Sequence, residues 1–163
     1  MEAVRIEQLV KPYYLQMMRL NALQYADDLV GALRLTGRTV SSGEVVELLG
    51  RFWRERVMGA WFSLLCDDDE LVLAAVLQAL RTSFGSLDAP PLIVAAVVLG
   101  GSASAPAIEH YLRRDVEQNW GASGFARAAC DALDGQTTDE PVTTSDRADF
   151  EALLDIAQRL RSG

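Results

Sequence analysis

A chain of 163 residues falls within the usual size of one domain, and with half its residues apolar and 23% charged it has the balance of a folded globular protein. Its formal charge of -8 argues against nucleic-acid binding, whose affinity comes mainly from Lys and Arg neutralising phosphates. A single histidine and two widely separated cysteines exclude multi-histidine metal centres and a dense disulfide framework, and point to reduced, buried thiols in a cytoplasmic protein.

The first ten residues carry Glu2 and Glu7 and lack the continuous apolar core of a secretory signal. Helical periodicity then dominates, and no alternating apolar and polar run competes as a strand. A first long helix is predicted from near Pro12, past Asp27 and Asp28, to about Leu35, with Gly37 ending it. Ser42 is placed to cap a short helix that runs through Gly50. In a third helix, from about Phe52 to Leu65, the residues Trp53, Val57, Ala60, Trp61 and Leu64 fall on one stripe, which predicts that Trp61 is core. The acidic run Asp67 to Glu70 opens the fourth helix, where negative charge favours the N-terminus. Its stripe is Leu73, Val76, Leu77, Leu80 and Phe84, and Gly85 stops it.

Ala89, Pro90 and Pro91 start a fifth helix ending at Gly100 and Gly101. This is the most apolar stretch, but it is well short of the roughly 20 residues that span a bilayer, so it reads as a buried helix. Ser104 is predicted to cap a sixth helix, which begins with Pro106 and reaches about Asn119, and Ser123 a seventh that ends near Asp134. The polar segment Gln136 to Thr144 reads as a loop, after which Ser145 caps a last helix whose stripe is Phe150, Leu153, Leu154, Ala157 and Leu160.

A faint repeat underlies these elements. Gly59-Ala60-Trp61, Ala95-Ala96-Val97 and Ala128-Ala129-Cys130 put small residues at the centres of the third, fifth and seventh helices. Each is followed by a turn and a second helix, the spacing of about 33 to 36 residues is that of a helix-pair solenoid, and small residues let helices approach closely. The expected fold is therefore all-α: a HEAT-like α-α superhelix of about three helix pairs plus the long N-terminal helix, about eight helices in one domain over residues 1–163.

No catalytic constellation emerges. His110 lies off the apolar stripe of its helix and reads as a solvated or capping side chain, and Gly100 to Ser104 reads as a turn and not a nucleophile elbow. Asp67, Asp68, Asp69 and Glu70 lack the alternating ligands and central glycine of a calcium loop. The most distinctive group is Trp53, Arg54, Arg56 and Trp61, because tryptophan and arginine are frequent interface anchors; the competing reading, which is favoured, is that both indoles are core and the arginines pair with acids such as Glu55 or Asp67 to Asp69. Arg113, Arg114 and Trp120 form a second such group.

At these residues the chain resembles an uncharacterised bacterial family, domain of unknown function six thousand. The similarity rests on Lys11-Pro12-Tyr13-Tyr14, on Trp53-Arg54-x-Arg56-Val57-x-Gly59-Ala60-Trp61-Phe62 and on Ala128-Ala129 through Leu133-Asp134. It implies a helical-repeat fold and no known activity, and small acidic bacterial proteins of this kind are similar to immunity proteins that neutralise toxins.

The expected function is non-catalytic protein binding, as an immunity protein or adaptor for a basic bacterial protein, with no cofactor, metal, nucleic acid or membrane. The candidate binding residues are Trp53, Arg54, Arg56, Asp67, Asp68, Asp69, Glu70 and Trp120. Asp139 and Glu140 form a second acidic patch. An enzyme whose site is not visible in sequence is the alternative; a nucleic-acid-binding solenoid would need Arg51, Arg54, Arg56, Arg113, Arg114 and Arg127 to cluster.

Overall fold

The structure, a computed structural model, describes residues 4–67, 70–134 and 140–163. All regular elements among them are helical. In chain order they are α1 (Ile6–Leu9), α2 (Tyr14–Met17), α3 (Ala22–Gly37), α4 (Ser42–Leu49), α5 (Trp53–Ser63), α6 (Glu70–Thr82), α7 (Ala89–Gly100), α8 (Ala105–Gln118), α9 (Ser123–Asp134) and α10 (Thr144–Ser162). A 3-10 turn, Gly101–Ser104, separates α7 from α8.

The middle of the chain is a two-layered stack of three helix pairs. Helices α4 and α5, α6 and α7, and α8 and α9 pack as consecutive pairs, so each small-residue helix pairs with the helix before it and not, as expected, with the one after. The first members line up as one layer, α4 on α6 on α8, and the second members as the other, α5 on α7 on α9. The repeated small residues all fall in this second layer, where Gly59, Ala60, Ala95, Ala96, Ala128 and Ala129 are buried. Gly59 shows the packing reason: a Cβ there would lie 2.9 Å from Leu49 Cγ, inside any real carbon contact. Helix α10 closes the layer against α3, α7 and α9 with Phe150, Leu153, Ala157 and Leu160 buried.

The apolar run forecast as a core helix is one, since Ala89 through Ala96 are all buried. The stretch Ala89–Gln118 has the length and composition to cross a membrane. It is nonetheless bent at Gly101, whose φ is 55°, and 56% of its most apolar window is inside the fold.

The N-terminal helix departs from expectation. It is not continuous: α2 ends at Met17, Met18 is extended, and Arg19 has φ 50° before α3 begins at Ala22. Long-range partners compensate for the break. Arg19 N donates to Leu87 O at 2.9 Å, Asn21 Nδ2 to Leu15 O at 2.7 Å, and Trp61 Nε1 to Met17 O at 2.9 Å. These bonds satisfy groups that a straight helix would have paired internally.

Three predicted caps also move. Ser41, not Ser42, accepts from Glu44 N at 3.1 Å, and Glu44 Oε1 accepts in turn from Ser41 N at 3.2 Å, completing a capping box. Arg5 holds the same carboxylate at 3.0 Å, and its hydrogen bond keeps Glu44 below the usual carboxylate range. Thr143, not Ser145, caps α10 by accepting from Asp146 N at 3.0 Å. Ser104 does not cap α8: its hydroxyl turns back to donate to Ala96 O at 2.5 Å.

Candidate functional site

Helices α5 and α6 pack as a hairpin, so the start of α5 and the end of α6 share one end of the fold. Arg56 Nη1 marks this by reaching Ala79 O at 3.4 Å. Eleven residues of α5 span about 16 Å. Trp53, Arg54 and Arg56 therefore lie at one end, and Asp67 and Glu70, both exposed, at the other. The structure does not bring the predicted binding residues into a single site. Asp68, Asp69 and Asp139 lie outside the described residues.

The end that holds Trp53 contains a pocket of about 530 Å³ lined by Phe52, Trp53, Arg56, Phe84, Leu87 and Asp88. Phe52 is 80% exposed and Phe84 82% exposed at its rim. The exposure of Phe84 corrects the expectation that it belongs to the apolar stripe of α6. That helix ends at Thr82, and the chain turns before Phe84 can follow Leu80 onto the buried face.

Arginine and aromatic side chains interleave around the pocket. Arg54 lies 4.8 Å from the Trp53 ring centre and 5.6 Å from that of Tyr14, which meets Trp53 edge-on. Arg114 donates to Arg81 O in the last turn of α6 at 2.6 Å and to Ser83 O just beyond it at 2.7 Å, at a helix C-terminus where a cation is favoured. The same guanidinium stands over Phe84 at 5.9 Å and Trp120 at 5.2 Å. Trp120 thus joins Trp53 on one continuous face, although 67 positions separate them in sequence. Arg113 is exposed on α8, and Arg127 pairs with Glu140 at 3.4 Å.

Beneath the rim lies a buried polar group of side chains. Ser83 Oγ donates to Asp88 Oδ1 at 2.6 Å, and Asp88 is 3% exposed. Burial pushes Asp88 above its ordinary value of 3.8, while the Ser83 bond and the Arg56 charge pull the other way. Nearby, Tyr111 OH donates to Asp115 Oδ2 at 2.6 Å, and burial together with that carboxylate drives the phenol well above its ordinary value. Asp115 also accepts from Gly121 N at 3.2 Å and Ala122 N at 3.0 Å, fixing the segment that carries Trp120 ahead of α9.

A group whose pKa is raised on folding stabilises the fold most at low pH, and that contribution is lost as pH rises from the unfolded value through the folded one. Asp88→Asn keeps an acceptor for Ser83 and removes the buried charge. It is expected to raise the midpoint of urea unfolding at pH 7, with the gain shrinking as pH falls towards 3.8. A lower midpoint at pH 7 would mean that the ionised form is needed.

The remaining candidates are unremarkable in position. Half-buried His110 has its Nδ1 enclosed without a hydrogen-bond partner among the described residues, which differs from the solvated or capping side chain expected of it. Cys130 is buried, whereas Cys66 is half-buried with its Sγ donating to Phe62 O at 3.7 Å. A second cavity, about 340 Å³, lies at the opposite end and mixes Asp67 with Arg34, Arg38 and Arg161. Arg161 is engaged there by the carbonyls of Leu64 and Cys66. No group of three His, Cys, Asp or Glu side chains among the described residues is arranged to hold a metal ion.

The two phenylalanines are the site residues that periodicity missed. Each occupies a position just outside a helix, where the local signal is helix termination and not burial. No family model, curated protein or solved structure matches the chain, so its functional reading rests on this geometry.

Proposed function

We propose that this chain is a non-catalytic, cytoplasmic protein-binding module that engages its partner through the face built from Phe52, Trp53, Phe84 and Trp120. One observation carries the reading: two phenylalanines, each at least 80% exposed, flank a pocket at the end where guanidiniums lie over two tryptophans. Large apolar side chains left in water beside a concavity are characteristic of interaction sites, and Trp, Tyr and Arg dominate binding hot spots.

A photo-crosslinking amino acid at position 84, in the chain expressed in its native host, is expected to trap one discrete protein. The same group at exposed position 109 on α8 is the control. Adducts that are indistinguishable at the two positions would remove the face from the proposal. A basic partner, as for an immunity protein that neutralises a cationic toxin, is a second reading. It is favoured at the other end of α5, where Asp67 and Glu70 are exposed and take part in no ion pair among the described residues. A discrete adduct from position 70 and none from position 84 would select it.

A further inference from the structure

The charge on the aromatic face runs against that of the molecule. The chain carries -8 overall, yet Arg51, Arg54, Arg56 and Arg114 converge on the pocket and its rim. Arg19, which is exposed, has its backbone N–H tied to Leu87 O in the pocket wall at 2.9 Å. Of these, Arg51 is neutralised by Glu47 at 2.8 Å. Arg54, Arg56 and Arg114 form no ion pair among the described residues. Carboxylates stand near them without forming an ion pair among the described residues. Asp88 lines the pocket within reach of the Arg56 charge but is 3% exposed, and Asp115 is enclosed by Tyr111, Gly121 and Ala122. Glu117 shares a recess with Arg114, Phe84 and Trp120, and Glu55 lies between Arg54 and Arg56 in the first turn of α5.

A guanidinium has five N–H donors. Among the described residues Arg54 makes ring contacts and no hydrogen bond, Arg56 spends one donor on Ala79 O, and Arg114 spends two on Arg81 O and Ser83 O. Donor capacity therefore remains beside an apolar recess large enough for a bulky side chain.

We propose that the Phe52 and Phe84 pocket with its arginine rim is a docking site for an acidic segment of a partner protein, one aromatic or aliphatic side chain of which fills the pocket while flanking carboxylates meet Arg54, Arg56 and Arg114. The proposal rests on the reading of this face as protein-binding and specifies its ligand chemistry. Charge complementarity selects the occupant: in an acidic molecule, this positive island is the place where an acidic segment is attracted and not repelled. A membrane surface would use the exposed rings but has no side chain to fill the recess behind them. A nucleic-acid strand carries a charge at every phosphate and would run beyond this island onto a molecule whose net charge is -8.

The three tryptophans provide the readout. The ¹⁵N-labelled chain would be titrated with a short synthetic peptide that carries one phenylalanine between glutamates. The indole N–H signals of Trp53 and Trp120 are expected to shift, whereas that of Trp61, buried and bonded to Met17 O, stays in place. Arg54→Glu and Phe84→Ser both alter exposed side chains and should each weaken binding at least about ten-fold. Their thermal melts should match the parent.

Equal binding of a peptide with glutamine in place of glutamate would overturn the proposal, as would indifference to Phe84→Ser. Preferential shifts of the same indoles by phosphatidylserine vesicles or by a single-stranded thymidine oligomer would also overturn it and name the occupant instead. If a lysine peptide binds here, or if position 84 cross-links a protein while no acidic peptide binds, the acidic ligand is wrong and the protein-binding reading survives.

Discussion

Replacing Trp61 with alanine is expected to lower the unfolding free energy by about 3–5 kcal/mol, a large fraction of the stability of a domain this size. The indole is 1% exposed and is the largest fully buried side chain among the described residues. It does more than fill space. Its Nε1 donates to Met17 O at 2.9 Å, a carbonyl freed where the N-terminal helix breaks between α2 and α3. Alanine would leave a cavity under α2 and an unpaired carbonyl beside it. Trp61→Phe keeps a six-membered ring in the site while removing the hydrogen bond, worth about 1 kcal/mol, and part of the packed volume, so its loss should exceed about 1 kcal/mol and fall short of that for alanine. Urea unfolding of both variants measures the two losses. A loss below about 1 kcal/mol for Trp61→Ala would show that the site collapses around the gap or that the indole is not packed.

Asp115→Ala is expected to cost about 2–4 kcal/mol, because it strands donors that a buried carboxylate now satisfies. Asp115 is 1% exposed and accepts from Tyr111 OH, Gly121 N and Ala122 N. The same carboxylate fixes the short connection on which Trp120 sits, after the left-handed Asn119 at φ 56° and before Gly121 at φ 103°. The variant should therefore lose stability and also broaden or shift the Trp120 indole signal, with Trp53 little changed. Urea unfolding and an indole ¹⁵N spectrum test the two halves separately. An unchanged Trp120 signal in a destabilised protein would confine Asp115 to general packing.

Much of the architecture follows from local pattern. Helical periodicity identified the elements of the three central pairs, and the recurrence of small residues near positions 60, 96 and 129 marked the layer in which α5, α7 and α9 lie against one another. The stripe on α5 likewise placed Trp61 in the core. These features are visible because burial of one helix face imposes its period on the residues themselves.

Other features depend on groups distant in the chain. The break at Met18 and Arg19 exists because Leu87 and Trp61 supply partners for backbone groups that the local sequence would have paired within a helix. Phe84 continues the α6 stripe on paper, but whether a residue beyond the last turn is buried depends on where the chain goes next, and Arg114 on α8 holds the α6 terminus where Phe84 faces water. The candidate face shows the same division. Composition and spacing identified Trp53, Arg54, Arg56 and Trp120 as separate groups, together with an acidic run. Only the folding of α5, α6 and α8 onto one another joined the tryptophans through Phe84 and Arg114 and sent Asp67 and Glu70 to the far end of the hairpin. Side-chain chemistry is written in each residue, whereas a shared surface is a property of packing between helices that the linear order does not encode locally.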